Sequence, residues 1–169
     1  MKHIFLIAII IGLGILTRAQ AYEVSNDGNN KILKGLISRD MLEGDTAFKW
    51  FHENQSAYVP DAEETTILKN KGAQVQFLVF GGTWSEDTKD VLPKFFALLD
   101  AASFSRDQVT LIGVDRNQKT TNHLSESMHI KSIPTFIVLK NGQEVGRVED
   151  HGRNGRWDKE LSDIITSNF

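Results

Sequence analysis

Near residue 75 the spacing of apolar positions changes character. Residues 75–80 and 109–114 are short, nearly continuous apolar runs, the pattern of strands buried on both faces. Between them, Val91, Leu92, Phe95, Phe96, Leu98 and Leu99 form one wide helical stripe, predicting a helix over 85–102 with Pro93 kinking its interior. A short helix is expected over 120–128. Residues 135–140 and 143–148 then flank Asn141-Gly142, a hairpin signal. Trp157, Leu161, Ile164 and Ile165 recur at helical spacing and predict a terminal helix. The order is β-α-β-α-β-β-α: parallel strands joined by right-handed crossovers, closed by an antiparallel hairpin.

Upstream of residue 75 the pattern reads differently. Residues 22–30 are polar and rich in Asn, Asp and Gly, and are expected to form a loose leader. Ile32, Leu33, Leu36 and Ile37 fit one helical stripe. Asp45 is a candidate N-cap for a helix that turns Phe48 and either Phe51 or Trp50 inward. Asp61 and Glu64 form a capping box for a helix closing at Gly72. Residues 22–71 are therefore expected to be a polar leader and a helical extension, and residues 72–169 an α/β domain.

The first residues change this picture. Lys2 and His3 precede thirteen apolar residues at 4–16, followed by Ala19 and Ala21 in an A-x-A arrangement. That is the form of a secretory signal peptide over 1–21, cleaved after Ala21. Spanning a bilayer takes roughly 20 apolar residues, so no stable membrane insertion is expected after cleavage. The mature chain should be soluble and periplasmic or extracellular.

Composition narrows the function classes. The 169 residues are 40% hydrophobic and 24% charged, an ordinary globular balance. Removing residues 1–21 takes away Lys2 and Arg18 and no acid, leaving 17 basic against 22 acidic residues. Such a balance, with basic residues scattered, argues against nucleic acid as a partner. There is no cysteine, so neither a disulfide nor a lipid-modified cysteine is available and packing alone must hold the core.

Candidate chemistry gathers where the first apolar strand runs through Gly81-Gly82 into the helix, at Thr83-Trp84-Ser85-Glu86-Asp87-Thr88. Thr83 and Glu86 are spaced as a capping box. Glu86 and Asp87 suit the positive end of the helix dipole, a simpler reading than a catalytic or metal-binding pair. A serine nucleophile would need a base within reach. His129 is the candidate, although an exposed histidine at a helix C-terminus accounts for it equally. The five histidines show no ligand spacing, so neither metal nor cofactor is expected. Asn54 begins an N-x-S sequon.

These residues and their order resemble thioredoxin. Trp84-Ser85-Glu86-Asp87-Thr88 stands where the family has Trp-Cys-x-x-Cys, Pro93 stands at the kink proline, and Ile133-Pro134-Thr135 matches the cis-proline loop. The strand and Asn-Gly turn that follow also match. The resemblance covers residues 72–169 and implies a thioredoxin fold, a central mixed sheet flanked by helices, here with an N-terminal helical extension.

It also implies what is missing. Ser85 and Thr88 occupy the two cysteine positions, and Val79 replaces the family's buried acid. A serine hydroxyl does not ionise near neutral pH and cannot enter disulfide exchange. The expectation is an exported protein, redox-inactive as written and not an enzyme. It would bind a protein or peptide partner of the cell envelope through Trp84, Ile133, Pro134 and Thr135, by strand addition. The alternative is a thiol–disulfide oxidoreductase of cell redox homeostasis whose single nucleophilic cysteine is replaced by Ser85.

Overall fold

A computed structural model describes residues 21–169; the expected signal segment, apart from Ala21, lies outside the described residues. Twelve regular elements follow in order: β1 (Tyr22–Asp27), β2 (Asn30–Ile37), α1 (Arg39–Gly44), α2 (Lys49–Ala57), α3 (Ala62–Lys71), β3 (Val75–Gly81), α4 (Glu86–Ala101), β4 (Val109–Gly113), α5 (Leu124–Ser127), β5 (Thr135–Lys140), β6 (Gln143–Glu149) and α6 (Trp157–Asn168). The strands form one six-stranded sheet in the order β1-β2-β4-β3-β5-β6, in which β3 and β4 are parallel and all other neighbours antiparallel. From residue 75 onward the observed order is the β-α-β-α-β-β-α that the sequence pattern predicts. Among the described residues no helix is long and apolar enough to cross a membrane.

The start of the chain differs from expectation. Residues 22–37 are not a loose leader and a helix but a β-hairpin, turning through Gly28-Asn29 with Asp27 opposite Asn30. Gly28 has φ +57°, and a positive φ at the first turn position is what a two-residue hairpin asks of glycine. Leu33 and Ile37 alternate onto the face that meets the main core, while Leu36 points away and stays 50% exposed. The spacing of Ile32, Leu33, Leu36 and Ile37 fits a helix, but only alternate members of the set share a face. Strand β2 docks antiparallel on β4, bringing Gly35 opposite Gly113. A Cβ on Gly113 would collide with the backbone carbonyl of Leu33.

The two faces of the sheet are covered unequally. On one, Phe77, Val79, Leu111, Phe136 and Val138 meet Leu42, Phe51, Leu68, Phe95 and Trp157 from the helices. Phe95 sits centrally there, its ring 5.2 Å from that of Phe77 and 4.7 Å from that of Phe136. Both separations lie in the range where aromatic pairs add to simple burial. Residues from 33 to 68 thus contribute to the same core as the residues after 72. On the opposite face a smaller cluster, Phe80, Ile112, Val114, Ile133 and Ile137, is covered by Leu124, Met128 and Ile130 around α5.

Helices α3 and α6 meet over acidic groups. Asp61 caps α3 by accepting from the Glu63 N–H at 2.8 Å. Glu64 is buried, with Oε1 3.4 Å from Arg156 and Oε2 without a hydrogen-bond partner. Burial, followed by the neighbouring Asp61 side chain, pushes the Glu64 carboxyl above its ordinary range. Beside it, burial and the neighbouring Asp158 raise the Tyr58 phenol.

Two outcomes follow from this packing. Gly113→Ala should lower the urea midpoint by the equivalent of about 1–3 kcal/mol, because backbone rather than a flexible side chain must yield; an unchanged midpoint would show that the β2–β4 contact is loose. Native Glu64 binds its proton more tightly than the unfolded chain does, so its contribution is fully present at low pH and is lost as pH rises above the usual glutamate range. Urea midpoints measured from about pH 4 to pH 7 should therefore fall for the wild type relative to Glu64→Gln, and parallel curves would contradict this.

Candidate functional site

The site forms where β3 passes into α4. Gly82 begins it: a Cβ there would lie 2.8 Å from both Ile133 Cδ1 and Trp84 Nε1, so only glycine lets the three meet. The indole N–H of Trp84 donates to the Val114 carbonyl at 3.1 Å, fixing the ring at the edge of the smaller core. The Arg116 guanidinium lies 5.1 Å from the centre of that ring, within cation–π range.

The next side chains are spent on the fold. Thr83 does not cap α4 as its spacing with Glu86 suggests. Its hydroxyl donates to the Lys31 carbonyl at 2.8 Å and accepts from the Leu33 N–H at 3.2 Å, joining the junction to β2. The N-cap is Ser85, whose Oγ accepts from the Thr88 N–H at 3.4 Å. Thr88 is fully buried, and its Oγ1 accepts from the Gly82 N–H at 3.2 Å. Glu86 is exposed and pairs with Lys89 at 2.6 Å. Pro93 lies inside α4, and Val79 is buried in the main core.

Residues 133–135 come to the same corner because Thr135 pairs with Phe80 at the end of β3. The Ile133–Pro134 peptide bond is cis. Ile133 is buried in the smaller core, and Thr135 is fully buried with its hydroxyl donating to the Ser132 carbonyl at 2.7 Å. The Pro134 carbonyl accepts from the Asp150 N–H at 2.7 Å. By contrast, neither the N–H nor the C=O of Ile133 has a hydrogen-bond partner among the described residues.

The structure therefore brings Trp84, Ser85, Thr88, Ile133, Pro134 and Thr135 to one corner. It does not add a base. The Ser85 hydroxyl is partnered only by the Thr88 N–H, and the His129 ring makes no hydrogen bond among the described residues. The serine-nucleophile reading has no geometry to support it.

One group was not anticipated from sequence. His151, in the loop after β6, places Nδ1 2.6 Å from Asp150 Oδ1 and 4.0 Å from Asp87 Oδ1, and Nε2 3.4 Å from Asp90 Oδ2. Histidine spacing along the chain could not reveal this, because the partners lie some sixty residues upstream on α4. The only local signal is the adjacent acid-histidine pair before Gly152.

Comparison with known proteins adds the following. No protein-family model matches the chain. A thioredoxin of Echinococcus granulosus is 32% identical over 88 residues, which span 52% of this chain and 74% of that protein. A thioredoxin of Arabidopsis thaliana is 33% identical over 88 residues, 52% of this chain and 58% of that protein. Among solved structures, a Pseudomonas aeruginosa protein of unknown function superposes with a TM-score of 0.51 at 15% identity, over 76% of this chain and 86% of that one. At that identity the likeness speaks to the fold alone.

Thr88→Val keeps the volume of the buried side chain but strands the Gly82 N–H. It should cost about 1–3 kcal/mol in a denaturation experiment; a loss of only a few tenths would mean that the Gly82 N–H finds another acceptor.

Proposed function

The chain belongs to the thioredoxin-like family, and on that premise we propose that it is an exported, redox-inactive member that binds extended polypeptide at the corner of Trp84 and residues 133–135. The observation that carries this reading is the unpaired backbone of Ile133 beside the indole of Trp84. Backbone N–H and C=O groups with no partner in the fold are open to pairing, and an extended segment laid along residues 133–135 would pair with them by strand addition. Trp84, part buried and held at its N–H, offers that segment an apolar surface with little rotamer freedom left to lose.

The same positions explain why binding rather than disulfide exchange is proposed. Exchange requires a thiolate to attack a disulfide sulfur, and the chain contains no cysteine. The hydroxyls at the family's two cysteine positions are engaged internally, Ser85 as a helix cap and Thr88 as acceptor for Gly82. Export is supported by the basic start, the apolar run over 4–16 and the A-x-A arrangement before Tyr22. The partner would then be a protein or peptide of the cell envelope.

The reading is tested by titrating the ¹⁵N-labelled protein with a permanently unfolded, carboxymethylated polypeptide. Saturable shifts are expected at the Ile133 and Thr135 amides and the Trp84 indole. Trp84→Ala should weaken binding about tenfold or more while leaving distant amides in place. No shifts at millimolar polypeptide, or shifts confined to another surface, would overturn it.

A further inference from the structure

Sheet pairing in β1 extends back to the residue before it. The Leu36 N–H donates to the Ala21 carbonyl at 2.9 Å, continuing the ladder one step beyond the Tyr22–Gly35 pair. Gly35 permits the approach. It has φ +109°, and a Cβ there would lie 2.7 Å from the Ala21 oxygen and 3.1 Å from the Tyr22 Cα. Both atoms belong to the backbone, so neither can swing aside as a side chain could. Tyr22 is half-buried and packs against the main core, while Ala21 lines a groove with Leu36, Ile112 and Leu124. The fold thus holds the Ala21–Tyr22 bond at both ends, one by its carbonyl and the other by its side chain.

We propose that this bond is a processing site open only until the β1–β2 hairpin closes, so that cleavage precedes folding and a chain that folds first stays uncut. The proposal rests on the export reading, in which the A-x-A arrangement ending at Ala21 marks the point of signal cleavage. What the hairpin adds is an order of events.

The chemistry of the cut explains the restriction. Water adds across the amide: its hydroxyl goes to the Ala21 carbonyl carbon and its hydrogen to the Tyr22 nitrogen, and at neutral pH the products are a carboxylate and an α-ammonium group. In the transition state the Ala21 oxygen takes on negative charge, which donors of the peptidase must meet. In the folded chain that oxygen is turned inward to the Leu36 N–H. Strand β1 is an edge strand, and a peptidase could pair along its open side. That side faces away from β2, however, and does not present the Ala21 carbonyl. Cutting the folded chain therefore requires residues 21–22 to open first, and the rate follows the open population. The site stands whether or not residues 133–135 bind polypeptide.

The test compares the folded full chain with a synthetic peptide of residues 11–28. Both are incubated with a purified signal peptidase, in a mild detergent that preserves the circular dichroism of the full chain. The peptide should be cut after Ala21, and the folded chain at least about tenfold more slowly. A folded Gly35→Ala chain, whose added methyl crowds the Ala21 carbonyl, should be cut about tenfold faster than the folded wild type. Hydrogen exchange supplies a readout that needs neither the peptidase nor the variant: in the full chain the Leu36 amide should exchange at least about tenfold more slowly than an unprotected amide. A peptide left uncut would overturn the export reading and this site with it. Equal cutting of peptide and folded chain, or an unprotected Leu36 amide, would overturn the order of events alone and leave export standing.

Discussion

The close approach at Gly82 governs the arrangement of everything around the site. The backbone there must pass between Trp84 and Ile133 with no room for a Cβ. Its N–H is held by Thr88 from within α4, and its carbonyl accepts from the Ser85 N–H at 2.9 Å. Strand end, helix start and the loop of residues 133–135 are therefore fixed by one residue and its immediate bonds. A side chain at that position would have to displace the Trp84 ring or the tip of Ile133.

Within that frame, hydroxyls in place of thiols alter what the helix N-terminus can do. In the family the N-terminus favours a thiolate by stabilising negative charge. A serine hydroxyl does not ionise in the accessible pH range, so the same N–H groups meet a neutral acceptor, and the Ser85–Thr88 contact becomes a helix cap. Thr88 goes further, since its hydroxyl is consumed inside the core and cannot approach a ligand. The proposed recognition surface rests on groups that never depended on sulfur: an indole, a backbone segment and the buried threonine that anchors it.

How much of this could be read from sequence depends on whether the determining contacts are local. The β5–β6 turn is legible because Asn141 and Gly142 both take positive φ, 52° and 75°, which few residues tolerate. The stripe of α4 is legible because its burial follows the helical period. The β1–β2 hairpin carries a Gly28 signal of the same kind, but polar residues flank it and the apolar residues of β2 fit a helix as well as a strand. Pairing with β4, not local preference, decides between them. Thr83 and Ser85 are both good caps by composition, and only the demand of β2 for a partner assigns one to each role. The His151 group depends on contacts across the fold and leaves almost no trace in spacing.

That hairpin also gives the residues before the α/β domain a physical role. Its turn end is attached to the site at four points: Thr83 bonds to the backbone of Lys31 and Leu33, Lys89 donates to Asn30 at 3.2 Å, and the Arg116 that covers Trp84 is paired with Asp27. None of these contacts touches Ser85 or the loop of residues 133–135 directly. They act on the neighbours of those residues, restraining the β3–α4 junction from the side opposite the loop. A surface that binds extended chain without forming a covalent bond cannot recover the cost of ordering itself from a later chemical step, so it gains affinity from being ordered in advance. The hairpin extends the sheet past β4 and ties down the junction, the order in advance that the proposed binding would use.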